Sequence, residues 1–248
     1  MLSEQRYEKI LALLDEKKSV TVAEITELLG ISESTARRDI TALDKAGRLT
    51  KVFGGAVTNS GSFVTQEPTV AQKVEIRKAE KIRIARHAAD LIEETDFVYL
   101  DAGTSTGYML EFLAQKNAAF VTNAVAHAQR LAAQGNRVFL IGGELKSSTE
   151  AVVGSLATET LSRYHFTKGF FGTNGINKSE GFTTPDVGEA QVKRTAMRQC
   201  RDRYILADSS KFGSISAVTF AALEDAVILT DEIPEGYQKE NGIVKCGE

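Results

Sequence analysis

Apolar residues in the first 57 positions recur at helical spacing in three short runs. Tyr7, Ile10, Leu11, Leu13 and Leu14 define a first helix over residues 3–17, with Ser3 as its candidate N-cap. Val20-Thr21-Val22 is a β-prone entry to a second helix over Ala23–Leu29, which Gly30 ends as a C-cap. Ile31 reads as a buried plug, and Ser32 caps a third helix that runs to Gly47. Val22, Ile25, Leu28 and Leu29 are expected to face Ile31, Ala36, Ile40 and Leu43 across one core. Two helices joined by a glycine-containing turn of about three residues form a helix-turn-helix pattern. Arg48–Val57 then reads as a strand, a glycine bend and a strand start, which together make a wing.

Residues 58–75 are polar and small, with Gly61 and Pro68, and are expected to be a linker. A long amphipathic helix is expected from Ile76 to about Glu94. Ile76, Ile82, Ala85, Ala89 and Ile92 mark one face, and Arg77, Lys78, Lys81, Arg83 and Arg86 make the other basic. Strands and helices then alternate. Apolar runs at 97–100, 119–121, 137–141, 168–171, 204–207 and 225–229 are separated by helices at 108–114, 124–133, 155–164 and 188–200. Near-continuous apolar strands between helices predict a parallel sheet covered on both faces. The chain therefore reads as α/β, with an N-terminal winged helix-turn-helix over 1–57, a linker over 58–75 and a C-terminal parallel-sheet domain over 76–248.

The strands end in small polar residues: Asp101-x-Gly103-Thr104-Ser105-Thr106, Thr122-Asn123, Gly142-Gly143, Thr173-Asn174-Gly175 and Asp208-Ser209-Ser210-Lys211. Ligands of open α/β sheets bind at that carboxyl edge. Gly103 lets the backbone approach an anion, and the three hydroxyls after it can surround a phosphate. No Gly-Lys-Ser/Thr follows and no GxGxxG spacing is present, so neither a P-loop nor a dinucleotide fingerprint is read here. Small hydroxyl and amide groups suit a polyol. Lys193 and Lys211 are candidate cations for a phosphate, and Lys193 fits a solvated helix face equally well. In the third helix, Ser34, Thr35, Arg37 and Arg38 occupy the N-terminal half, which meets bases and phosphates in a helix-turn-helix. Arg48 and Lys51 on the wing can reach the DNA backbone.

A chain of 248 residues, 42% hydrophobic and 25% charged, excludes disorder over most of its length and allows one large domain or two modest ones. No run approaches 18 apolar residues, and the first ten residues lack a signal pattern, so a cytoplasmic protein without a membrane partner is expected. Cys200 and Cys246 fit neither a disulfide scaffold nor a zinc site, and His87, His127 and His165 lack metal-ligand spacing. No metal or cofactor is expected. The net charge of −3 argues against nonspecific coating of nucleic acid. Residues 1–57 carry nine bases and nine acids, so DNA binding would depend on where the charges sit rather than on their sum.

The run Val20–Val57 resembles the winged helix-turn-helix of the DeoR family of bacterial sugar-metabolism regulators. The resemblance is carried by Ser34-Thr35-Ala36-Arg37-Arg38-Asp39-Ile40, Leu43 and the wing Phe53-Gly54-Gly55-Ala56. The family usually reads Thr-Val-Arg-Arg-Asp-Leu and His-Gly-Gly-Ala. Ala36 and Ile40 keep the core character, and Phe53 stands where the family has His. The C-terminal half is similar to the family's effector domain through Asp101-x-Gly103-Thr104-Ser105, Thr122-Asn123, Gly142-Gly143, Gly172-Thr173-Asn174-Gly175-Ile176, Gly181-Phe182-Thr183, Glu189-Ala190-x-Val192-Lys193-Arg194 and Asp208-Ser209-Ser210-Lys211.

The resemblance implies a sugar-phosphate-binding domain similar in fold to ribose-5-phosphate isomerase. It implies a transcriptional repressor of a sugar-utilisation operon that binds double-stranded operator DNA as a homo-oligomer, dimer or tetramer. A phosphorylated sugar bound at the strand ends would relieve repression. DNA contacts are implied for Ser34, Thr35, Arg37, Arg38, Arg48 and Lys51. Effector contacts are implied for Asp101, Gly103, Thr104, Ser105, Thr106, Thr122, Asn123, Gly142, Gly143, Asn174, Lys193, Asp208 and Lys211. Within the family the chain looks most like regulators of fructose operons in Gram-positive bacteria, which implies fructose 1-phosphate. The alternative is a sugar-phosphate isomerase-like enzyme, whose carboxylates would lie in an Asp-Gly-Ala-Asp-type turn. This chain has Gly172-Thr173-Asn174-Gly175 there, and Asn174 cannot act as a general base. Asp101, Asp186 and Asp208 remain as acids that nothing in the sequence pairs, so no catalysis is expected.

Overall fold

The computed structural model describes residues 3–17, 19–45, 48–52, 54–57, 63–64, 70–113 and 117–247. The expectations for Gly47, Phe53, Ala114 and most of the linker fall outside these residues. The chain divides into two compact units, Met1–Phe63 and Val64–Glu248.

The first unit runs α1 (Ser3–Lys17), β1 (Ser19–Thr21), α2 (Val22–Leu29), α3 (Glu33–Lys45), β2 (Thr50–Val52) and β3 (Gly55–Val57). Ser3 is already helical, not the cap of α1. A reciprocal capping box starts α2: Thr21 Oγ1 accepts the Glu24 amide at 3.2 Å, and Glu24 accepts the Thr21 amide at 2.8 Å. Lys17 and these bonds hold the Glu24 carboxyl down to about 2. Gly30 closes α2 in the left-handed region at φ 61°.

The strands form an antiparallel sheet in the order β1-β3-β2, so the β-prone entry is a third strand of the wing. A Cβ on Gly55 would lie 2.0 Å from the Val20 carbonyl oxygen, which explains glycine there. Ile10, Leu14, Ile25, Ala36, Ile40, Leu43 and Leu49 build the core. Two expectations are corrected. Leu28 is 55% exposed because Val22, Ile25 and Leu29 already fill the buried side of the short α2. Ile31 is half-buried rather than a sealed plug.

Beyond the two-residue strand β4 (Phe63–Val64), the second unit opens with α4 (Val70–Val74) and α5 (Lys78–Asp90). These replace the end of the expected linker and the single helix expected over 76–94. Arg77, at φ 50°, sits in the left-handed region and breaks the helical path between them. The chain continues with β5 (Phe97–Leu100), α6 (Thr104–Met109), β6 (Ala119–Thr122), α7 (Val125–Ala133) and β7 (Arg137–Leu140). A hairpin, β8 (Glu144–Lys146) and β9 (Ala151–Val153), leads to α8 (Ser155–Leu161) and β10 (Phe166–Gly172). Then come β11 (Gly175–Asn177), β12 (Gly181–Thr184), α9 (Val187–Arg198), β13 (Cys200–Leu206), β14 (Ile215–Ser216), β15 (Val218–Ala221), β16 (Val227–Thr230) and β17 (Ile243–Lys245).

Seven strands form one parallel sheet in the order β17-β16-β13-β10-β5-β6-β7. Alternate residues of a strand enter opposite cores, which is why the strands read as apolar throughout. Tyr99, Phe171 and Ile205 pack on one side with α8 and α9, while Val98, Leu100, Phe170 and Leu206 pack on the other with α5. The β8–β9 hairpin and the antiparallel β11-β12-β15 sheet lie outside the expected alternation. The helix expected over 108–114 instead spans Thr104–Met109, so Thr104, Ser105 and Thr106 form its first turn.

Candidate functional site

Each unit presents its own candidate surface. In the first, Ser32 Oγ accepts the Thr35 amide at 3.3 Å and starts α3. Ser34, Arg37 and Arg38 stand exposed on its leading half, while Thr35 is half-buried with its hydroxyl 2.9 Å from that of Ser32. Arg37 pairs with Glu33 one turn back at 3.1 Å, and Arg38 makes no hydrogen bond or ion pair with a described residue. Asp39, within the same motif, is buried instead. It accepts a two-pronged pair of bonds from Arg6 at 2.6 and 2.9 Å, tying α1 to α3. Arg48 is exposed. Lys51 is exposed too, but its ammonium reaches Thr41 Oγ1 at 3.0 Å and its amide reaches Asp44 at 2.9 Å. The wing is thereby fixed to α3.

In the second unit a cavity of about 190 Å³ opens at the carboxyl edge of the sheet. Gly103, Thr104 and Ser105 follow β5 into it, Gly172, Thr173 and Asn174 follow β10, and Lys211 follows β13. Val70, Lys73, Ile76 and Lys81 close it from α4, α5 and the turn between them, Thr149 from the β8–β9 turn, and Glu189 and Lys193 from α9. Among the described residues, four lysines therefore line it against one acid.

Lys193 is buried, not on a solvated face. Its ammonium is ion-paired to Asp101 Oδ2 and donates to the Gly172 carbonyl at 3.1 Å. The Gly172 amide donates to the same carboxylate at 3.1 Å. Burial pushes the Asp101 carboxyl up, and Lys193 opposes that rise. Asp101 is thus paired, contrary to the expectation, and it supports the cavity from beneath.

Lys81, expected on the basic outer face, is only 4% exposed. It donates to the Lys73 carbonyl at 2.6 Å and to Thr104 Oγ1 at 3.1 Å. Burial, with Lys211 and Lys73 nearby, brings its ammonium down to about 8. Glu189 accepts from Thr149 Oγ1 at 2.5 Å and from Lys146 at 3.0 Å. The cavity is therefore cationic towards α5 and Lys211, and offers an acceptor at Glu189.

Gly103, Thr104, Ser105, Asn174, Lys193 and Lys211 line this cavity as the sequence suggested, and the other suggested residues do not. Thr106 turns its hydroxyl to the Asp101 and Gly103 carbonyls at 2.7 and 3.0 Å. Thr122 Oγ1 accepts the Ala124 amide at 3.1 Å. Asn123 joins three segments, accepting from Tyr99 and the Ala102 amide and donating to Val152. Gly142 and Gly143 serve the hairpin, where a Cβ on Gly143 would meet the Val153 carbonyl oxygen at 2.5 Å. Asp208 caps the Ser209–Lys211 turn and sits 3.6 Å from Arg77. Asp186 caps α9 and lies 3.2 Å from Lys146.

Sequence reasoning missed Lys73, Lys81, Thr149 and Glu189. Lys81 did leave a signal: it falls on the stripe of Ile84, Ala85, Ala88 and Ala89 that packs inward. The histidines and cysteines take no part. His127 is buried, which lowers its imidazolium to about 4, and burial lifts the Cys200 and Cys246 thiols to about 12 and 11. Among the described residues no acid, histidine and cysteine group could hold a metal ion, and no helix is long and apolar enough to cross a membrane.

Residues 6–62 match the DeoR-like helix-turn-helix domain and residues 76–232 match the DeoR C terminal sensor domain. The chain is 39% identical over 250 residues to the uncharacterized HTH-type transcriptional regulator FruR of Bacillus subtilis strain 168, covering 99% of this chain and 98% of that protein. It is 33% identical over 235 residues to the lactose phosphotransferase system repressor of Streptococcus mutans serotype c, covering 93% of each. The repressor of the same description from Staphylococcus aureus strain N315 is 34% identical over 240 residues, covering 95% of each. Among solved structures, ribose 5-phosphate isomerase A of Methanocaldococcus jannaschii aligns over 55% of each chain at 11% identity and a TM-score of 0.42.

Proposed function

Because the chain belongs to the DeoR family of transcriptional regulators, we propose that it represses a sugar phosphotransferase operon by binding operator DNA, and that a phosphorylated sugar in the second unit relieves repression. The observation that carries this reading is the cavity: lysines, hydroxyls and an amide gathered at a sheet edge, in a chain whose other unit presents an arginine-bearing helix. Lys73, Lys81 and Lys211 supply the charge a phosphate dianion needs. Glu189, Thr149 and Asn174 offer acceptors and donors to sugar hydroxyls. Asp101 acts through Lys193, which it orients. Ser34, Arg37, Arg38 and Arg48 meet the DNA directly, while Lys51 and Thr35 hold the wing and the helix start in place.

Repression is relieved only if the sugar phosphate binds the DNA-incompetent state more tightly than the competent one. We assign fructose 1-phosphate as the effector on the likeness to the FruR-type relative. The neutral charge sum of residues 1–57 makes two or more protomers on repeated half-sites the natural arrangement. The protein is a regulator, not an enzyme. Asp101 is buried in its pair with Lys193, and the Asn174 amide cannot take a proton. Calorimetry of the full chain against fructose 1-phosphate, fructose 6-phosphate, galactose 6-phosphate and tagatose 6-phosphate tests the effector. Fructose 1-phosphate is expected to bind at least about tenfold more tightly than the others, a difference of about 1.4 kcal/mol. Equal affinities, or preference for a 6-phosphate, would reject fructose 1-phosphate as the effector.

A further inference from the structure

The residue after Lys193 on α9 belongs to a different place. Arg194 and Arg198, one turn apart, join Arg203 of β13 around a second cavity of about 250 Å³, floored by Phe220 and bordered by Asp225. Arg194 donates to the Thr219 carbonyl at 2.6 Å, and Arg203 donates to the Cys200 and Asp225 carbonyls at 3.2 and 3.3 Å. These neutral partners orient the guanidiniums without cancelling their charge. Arg198 makes no hydrogen bond or ion pair with a described residue. Asp225, the acid at this cavity, directs its carboxylate to the Ala222 amide at 2.8 Å.

Some other arginines of the unit stand beside carboxylates, Arg130 with Glu111, Arg163 with Glu159 and Arg201 with Asp202, while Arg86 and Arg137 lie over the Phe112 and Phe139 rings. Arg194 and Arg198 are exposed and Arg203 is half-buried, so three guanidiniums face one opening beside a single acid, Asp225, among the described residues. Guanidinium groups match the oxygens of a phosphate in pairs.

We propose that this cavity is a second anion site, distinct from the lysine-lined one, that takes a small phosphate-bearing molecule. Inorganic phosphate and a small phosphate monoester both present the oxygens that paired guanidiniums bind. The test is calorimetric titration of the full chain with inorganic phosphate and, separately, with methyl phosphate. Wild type is compared with Arg198→Gln and with Arg194→Gln/Arg198→Gln. Arg198 holds no other group in place, so its single variant remains folded even where the double variant does not.

Arg198→Gln is expected to weaken one class of phosphate site at least about tenfold, and the double variant is expected to lose one bound phosphate per chain. Both should bind fructose 1-phosphate as wild type does. Methyl phosphate binding as tightly as inorganic phosphate assigns the site to a phosphorylated metabolite, and binding of inorganic phosphate alone assigns it to the free ion. Unchanged phosphate stoichiometry and affinity in Arg198→Gln, or no binding of either probe at an arginine-dependent site, overturns the proposal.

Discussion

The two units put the polar residues of their motifs to different uses. In the first, Ser34, Arg37 and Arg38 of the motif are exposed and Asp39 is buried, as their places on α3 require. One helix has two faces: residues three or four apart share one, and Asp39, one and two positions after Arg38 and Arg37, turns to the other. In the second unit, motif residues at equivalent strand ends divide between the cavity and the scaffold. Thr104 lines the cavity, whereas Thr122 and Asn123, at the end of the neighbouring strand, are used up by backbone amides and carbonyls. A strand end fixes a location, but what folds over it decides which side chains remain available. Here that cover is α4, the start of α5 and the β8–β9 turn.

The sharpest test of this contrast is Asp101→Ala. If Asp101 were an effector ligand, its loss would spare stability. As the partner of a buried lysine, its removal strands a charge and is expected to cost about 3–5 kcal/mol, lowering the melting temperature of the second unit by about 10 °C. Scanning calorimetry reads this directly, and an unshifted transition would return Asp101 to the ligand set.

Acidification should separate the units next. His127 is held at about 4, below its ordinary 6.5, by burial. The unfolded chain then binds more protons between those values, so stability is full above about 6.5 and falls as pH drops towards 4. The loss amounts to about 3 kcal/mol by pH 4. Chemical denaturation at pH 7 and pH 5 should show the second unit weakening, and His127→Gln should flatten that slope.

The smallest expected effect lies in the first unit. Leu28→Ala should change its stability by less than about 0.5 kcal/mol, against about 2–5 kcal/mol for Ile25→Ala one turn earlier. A comparable loss in both would show that the exposed position of Leu28 is wrong.

Much of the fold was legible because the signals were local. Helix caps at Ser32 and Gly30, the glycine bend of the wing and the apolar strands each follow from a few adjacent residues. The errors came from competition and distance. Leu28 fits the apolar spacing but loses its place to Leu29 and Ile25 on an eight-residue helix. The break at Arg77 depends on a backbone conformation that arginine seldom adopts, so nothing in its identity announced it. Lys193 looked solvated because its partner Asp101 lies 92 residues away. Lys73 and Thr149 reach the cavity from a segment read as linker and from a hairpin that alternation of strands and helices does not predict.

In the proposed function a sugar phosphate in the lysine-lined cavity releases DNA held by the arginine-bearing helix. Fluorescence anisotropy of a labelled operator duplex, titrated with fructose 1-phosphate, tests both ends in one measurement on wild type, Arg38→Ala and Lys211→Ala. Wild type should bind and be released. Arg38→Ala should bind about tenfold or more weakly, and Lys211→Ala should bind as wild type yet need at least about tenfold more fructose 1-phosphate for release. Wild-type anisotropy that stays constant as fructose 1-phosphate rises, or Lys211→Ala released as readily as wild type, would contradict the account.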